Sequence, residues 1–147
     1  MFVLSNFAEK LEELMFDNQT SPTQLAEALG VPKTTVYRYL KKAHAPKLDI
    51  LVKIANIFEC TTDYLLGLEA ENSATHFNTQ LPLFRERFPL LLKENEVTKY
   101  RLCKDLEFTE SEVYFWQNGK RSPSVESVVL LAEYLGCSVD FVLGREL

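Results

Sequence analysis

Apolar residues recur at three- and four-residue intervals along most of the chain, and the rhythm restarts at short stretches of Ser, Thr, Pro and Gly. Phe7, Leu11, Leu14 and Met15 make the first stripe. The Asn6-x-x-Glu9 pattern ahead of it resembles a capping box and predicts a helix through about Asp17. Ser21-Pro22 places a capping hydroxyl before a proline suited to a first helical position, so a second helix is expected over Thr23 to Leu29, stopping at Gly30. Pro32 opens a third, Lys33 to about Lys41, with Val36 and Leu40 turned inward. A loop from Lys42 to Lys47 precedes a fourth, Leu48 to Phe58, and a fifth runs from Thr62 to Leu66 before Gly67.

The same plan is then written again, 77 positions later. Phe7 to Glu69 aligns with Phe84 to Glu146 without a gap, and 16 of 63 positions are identical. Unrelated sequences of ordinary composition would match at roughly one position in sixteen. In the second copy Thr98 caps helix two, Thr109 opens helix three, and a long helix spans Ser124 to Leu135. Pro89 stands where the first copy has Glu12, and it predicts a first helix that starts late or bends, because proline removes an amide donor. The expected organisation is all-α: unit one at 1–69, a polar linker at 70–83 and unit two at 84–147.

Composition narrows the function classes. Three cysteines without a Cys-x-x-Cys and two histidines without ligand spacing predict no disulfide framework and no metal site. Cys60 and Cys137 share a repeat position, which suits core packing. Asp63 and Asp140 also share one, and each is expected to cap or orient the fifth helix of its unit. No glycine-rich phosphate loop or nucleophile-and-base pairing is visible, so neither an enzyme nor a cofactor is expected. The opening residues lack a signal-peptide pattern and no stretch has membrane-spanning length, which predicts a cytoplasmic protein with no membrane partner.

Net charge is −5, a poor balance for gripping a polyanion, so the placement of cations matters more than their total. Between Lys33 and Lys53 stand six basic residues and one acid, Asp49, a local +5. That window begins at the second of two short helices joined by a tight turn, with Leu25, Leu29, Val31 and Val36 spaced to bury together. The arrangement is a helix-turn-helix. Lys33, Thr34, Tyr37, Arg38 and Lys41 fall on or near the outward face of its second helix.

Across Gln24 to Gly67 and again from Thr98 to Gly144, the chain resembles the Cro/lambda-repressor-type helix-turn-helix family. The most specific stretch is Trp116-Gln117-Asn118-Gly119-Lys120-Arg121-Ser122-Pro123. The resemblance covers both units apart from the amino terminus and the linker. It implies two five-helix domains, double-stranded DNA as partner, and helix three of each unit aimed at the major groove. Position by position, it implies base-edge contacts for Lys33, Thr34 and Arg38, whose side chains suit guanine O6/N7 and the thymine methyl. It places Ser21, Thr23 and Gln24 at a phosphate, and Lys41, Lys42 and His44 in the loop that holds the backbone. The glycine of the Asn118-Gly119-Lys120 corner is missing from Lys41-Lys42-Ala43, and Met15 and Leu40 stand where the family frequently has an ion pair, so an apolar contact is expected in its place.

Unit two departs on the reading face. Lys33, Thr34, Thr35 and Arg38 become Glu110, Ser111, Glu112 and Phe115, and the window from Glu110 to Leu130 sums to −1. Glu110 and Ser111 still have hydrogen-bonding capacity toward bases, and Thr98, Lys99, Arg101, Lys120 and Arg121 supply phosphate contacts. The expected function is a transcriptional regulator of phage- or mobile-element-repressor type, with weaker DNA contact by unit two and two unlike half-sites. The alternative makes unit two a protein-interaction or homodimerisation module, antitoxin- or antirepressor-like, with an exposed Phe115 as its anchor.

Overall fold

The computed structural model describes residues 2–73, 77–78 and 80–146. The chain divides into two compact units, Met1–Ala74 and Thr75–Leu147, each holding five helices. In unit one these are α1 (Phe2–Asp17), α2 (Pro22–Leu29), α3 (Lys33–Leu40), α4 (Leu48–Ile57) and α5 (Thr62–Leu65). Unit two has α6 (Phe84–Glu94), α7 (Lys99–Leu106), α8 (Glu110–Asn118), α9 (Val125–Leu135) and α10 (Val139–Leu143). The only extended pairing among the described residues is an isolated bridge between Phe77 and Glu146.

Each core is built from the predicted stripes. Phe7, Leu11, Leu25, Leu29, Val36, Leu51 and Ile54 are buried in unit one, and Phe88, Leu91, Leu102, Val113, Val128 and Leu131 in unit two. The repeat extends to ring geometry. Phe7 meets Tyr39 edge-on at 5.9 Å, and their counterparts Phe84 and Trp116 meet edge-on at 6.2 Å. Trp116 also receives Phe88 at 5.8 Å and Phe108 at 5.0 Å, so unit two centres on an aromatic cluster of the edge-to-face kind that rings favour.

Helix ends repeat as faithfully. Ser21 and Thr98 accept from the amides of Gln24 and Arg101, and Thr61 and Ser138 from those of Tyr64 and Phe141. Asn18 and Asn95 each donate a side-chain hydrogen bond to the carbonyl four residues back, on Leu14 at 2.7 Å and Leu91 at 2.8 Å. Left-handed backbone occurs at five matched positions: Gln19/Glu96, Gly30/Glu107, Lys42/Gly119, Glu59/Gly136 and Gly67/Gly144. Five of these ten residues are not glycine. The missing glycine at Lys42 therefore does not change the turn: Lys42 adopts φ 63° where Gly119 has 79°.

Several expectations need correction. Asn6 does not cap a helix, because α1 already begins at Phe2 and Asn6 lies inside it, with its Cβ against Gly67. The fifth helices are capped by Thr61 and Ser138, not by Asp63 and Asp140. Asp140 is instead buried in an ion pair with Arg145 at 2.9 Å. Leu40 is half-buried, although Val36 is fully inside. Cys60 is buried and Cys137 half-buried. The late start expected from Pro89 is seen: α6 begins at Phe84, the counterpart of a residue well within α1, with Pro89 inside it.

The stretch expected to be a plain linker is partly tied down. Asn72 accepts from the Thr61 amide at 3.2 Å and donates to the Glu59 carbonyl at 3.0 Å. Asn78 donates its amide to the Arg145 carbonyl at 2.8 Å, and the Arg145 guanidinium lies 3.6 Å from the Phe77 ring centre. The linker positions 74–76 and 79 lie outside the described residues.

Candidate nucleic-acid interface

In unit one, α2 and α3 pack together and bury Leu25, Leu29 and Val36, as the spacing predicts. Burying that side of α3 leaves Lys33, Thr34, Tyr37, Arg38 and Lys41 exposed on the other. The Lys33 ammonium lies 5.9 Å from the Tyr37 ring centre, which braces the first turn. Lys42 points back to Glu9 at 3.8 Å, and it is the one cation of the α3 face and following loop with an intrachain ion pair among the described residues. Arg38, His44 and Lys47 line one cleft of about 420 Å³ with Thr35, Tyr39 and Asp49. Lys47 was not among the sequence-derived candidates, although it sits within the +5 window and directly precedes α4.

The start of α2 is capped by Ser21, as expected, and Gln24 closes the cap. Ser21 Oγ accepts from the Gln24 amide at 3.1 Å while Gln24 Oε1 accepts from the Ser21 amide at 2.8 Å, a closed capping box. Pro22 has no amide hydrogen, so the Thr23 amide and hydroxyl and the Gln24 NH₂ are the donors left at this helix end.

Unit two brings Thr98, Lys99, Arg101, Glu110, Ser111, Lys120 and Arg121 to exposed positions on α7, α8 and the loop after α8. Three of these are already engaged. Arg101 faces Asp105 at 3.7 Å, and Asp105 accepts from Tyr134 Oη at 2.6 Å, a bond that holds the Tyr134 hydroxyl above its ordinary range. The Arg121 guanidinium lies 5.1 Å from the Phe115 ring centre, and Thr98 Oγ1 caps α7. Phe115 is accordingly half-buried, not the freely exposed ring expected, and Trp116 is core.

Between α7 and α8 opens a cleft of about 870 Å³ that the sequence did not reveal. Tyr100, Cys103, Phe108, Val113, Tyr114 and Phe115 line it, with Lys99, Lys104 and Glu110 among its charged groups. Burial, with the Glu110 and Glu112 carboxylates nearby, pushes the Cys103 thiol up. Among the described residues no cluster of three or more His, Cys, Asp or Glu could hold a metal ion, and no helix is long and apolar enough to cross a membrane.

The profile of the helix-turn-helix family matches twice, at residues 17–65 and 90–142. The chain belongs to that family, in two tandem copies. It is 32% identical over 62 residues to YobD, an uncharacterized HTH-type transcriptional regulator of Bacillus subtilis, an alignment spanning 42% of this chain and 55% of the relative. It is 30% identical over 78 residues to another uncharacterized HTH-type transcriptional regulator, from Rickettsia conorii, spanning 50% of this chain and 72% of the relative. A third, from Rickettsia prowazekii, is 28% identical over 78 residues, spanning 50% and 85%. The chain therefore spans only about half the length of the first of these relatives. No solved structure is a significant match.

Proposed function

We propose that this protein is a sequence-specific DNA-binding transcriptional regulator of repressor type, acting in the cytoplasm, in which α3 of unit one enters the major groove. The family and the names of its relatives support a DNA-binding regulator. The observation that carries the finer assignment is the α3 face. It holds Lys33, Thr34, Arg38 and Lys41 exposed and without an intrachain ion pair among the described residues, inside a protein of net charge −5. Unpaired cations on a docking helix are available to phosphates and guanine edges at no cost in broken salt bridges. Lys33, Thr34 and Arg38 take the base edges, while Lys41, Lys42 and the Thr23 and Gln24 donors take the backbone.

A second reading holds for unit two. Its Arg101 and Arg121 are committed to Asp105 and Phe115, and Glu110 opens α8 with a charge that phosphate repels. The apolar cleft on the same face favours a protein contact there. Selection of bound duplex from a random pool tests both at once. A motif built from one kind of half-site, read through α3, is expected. Recovery of no motif by the intact chain would refute sequence-specific binding, and a motif shortened by Lys120→Ala with Arg121→Ala would return unit two to the DNA.

A further inference from the structure

The two units have kept their cores and exchanged the chemistry of their α2–α3 faces. Where unit one has Thr23, Lys33 and Arg38, unit two has Tyr100, Glu110 and Phe115. The result is the aromatic cleft between α7 and α8, beside which Tyr100 is 72% and Tyr114 61% exposed. Large exposed rings gathered around a cleft with charges at its margin match the anatomy of a protein interface, an apolar centre with a polar rim. An occupant must match those charges as well as the rings.

The charges name it. Lys99 and Lys104 come from α7, whereas Glu110 and Glu112 come from the first turn of α8. None of the four has an intrachain ion pair among the described residues. A surface with cations on one flank and carboxylates on the other is complementary to itself under a two-fold rotation. In such an isologous contact each residue pair occurs twice, and the assembly closes at two copies.

We propose that the α7–α8 cleft of unit two is a homodimer interface, in which a second copy of this chain places its own Tyr100, Tyr114 and Phe115 against the same rings. Lys99 and Lys104 of each copy then face Glu110 and Glu112 of the other. The dimer buries the face with which unit two would otherwise meet DNA, and it uses no residue of unit one. Its two reading helices are then identical, so the operator has two like half-sites in place of the unlike pair that two different heads would require. It rests on the reading of unit two as a protein-contact surface, and it is independent of unit one as the DNA reader because its readout is mass in solution.

Sedimentation equilibrium of the full chain, without DNA, tests it. The intact protein is expected to associate reversibly to a dimer and no further. Lys99→Glu with Lys104→Glu should weaken association by at least about tenfold, as should Glu110→Lys with Glu112→Lys, because like charges then meet across the axis. An equimolar mixture of these two variants should form a heterodimer, since every reversed lysine position meets a reversed glutamate position. Misfolding of a variant cannot produce that rescue. A chain that stays monomeric up to about 200 μM overturns the proposal, since a dimer of micromolar Kd would be populated there. So does a dimer indifferent to both charge reversals, or a mixture that stays monomeric. Association abolished instead by Lys33→Glu with Arg38→Glu would overturn it in favour of head-to-tail docking of unit one on unit two.

Discussion

Replacing Arg145 with alanine should cripple unit two and leave unit one untouched. The Arg145 side chain is wholly buried and its Nη1 donates to Asp140 Oδ1 at 2.9 Å, with Asp140 itself only 4% exposed. The guanidinium also covers the Phe77 ring at 3.6 Å, and the Arg145 amide and carbonyl tie Asp140 to Asn78. Truncation removes the guanidinium from a buried carboxylate, and breaking a buried pair in this way costs about 3–5 kcal/mol. A unit of this size has roughly 4–10 kcal/mol in all, at about 0.05–0.15 kcal/mol per residue. The loss is therefore comparable to the total. Trp116, the single tryptophan, is buried in unit two and reports on that unit alone, while helical circular dichroism reports on both. In urea, the Trp116 transition of Arg145→Ala should fall by at least about 3 kcal/mol, with the remaining helical signal melting as before. Arg145→Leu with Asp140→Asn should cost less than either single change, because the buried pair is replaced by neutral groups; leucine already stands at the equivalent position, Leu68. A Trp116 transition that moves by less than about 1 kcal/mol would refute the buried-pair argument. A unit-one transition that moves with it would refute independent folding.

Two further outcomes follow from the backbone and from the cleft. Gly30→Ala should cost only about 1 kcal/mol, the strain of a Cβ at φ 70°, because an added Cβ there meets no atom within 4 Å. Gly67→Ala should cost clearly more, since its Cβ would stand 2.7 Å from Asn6 Cβ on α1, and Glu107→Gly should stabilise unit two; equal costs at both glycines in urea melts would contradict the distinction. Site-resolved alkylation near neutral pH should find Cys103 slower than in the unfolded chain, because burial and the Glu110 and Glu112 carboxylates raise its pKa and so lower its thiolate fraction. Glu110→Gln with Glu112→Gln should speed it, and an unchanged rate would remove the carboxylates from that environment.

What the sequence revealed, and what it hid, follow from which side chains carry a local signal. Ser21-Pro22, Thr98 and Thr109 announce helix starts because a hydroxyl beside free amides has one obvious use, and each is a cap. The matched apolar stripes gave both cores for the same reason. Gln19, Lys42, Glu59, Glu96 and Glu107 gave no sign of left-handed backbone, since only glycine advertises that conformation and tertiary packing imposes it elsewhere. Asn6 misled because a capping pattern three residues from Glu9 also fits a helix interior once the chain ahead is helical. Arg145 reads as a surface residue by type, and its burial depends on Phe77 and Asp140, 68 and 5 positions away. At the reading face the cations could be located but not their engagements. Arg101 and Arg121 are committed through Asp105 and Phe115, pairings that require the fold.

The most direct measurement is a salt-matched titration of the selected duplex, and of single-base variants of it, with the intact chain and three alanine variants. Lys33→Ala and Arg38→Ala should each cost about 1–3 kcal/mol on the selected site and relax the preference at one base pair. Lys41→Ala should weaken binding to every sequence alike and flatten the logarithmic salt slope by about one unit. Unchanged affinity and base preference in both Lys33→Ala and Arg38→Ala would contradict the assignment of α3 as the reading helix.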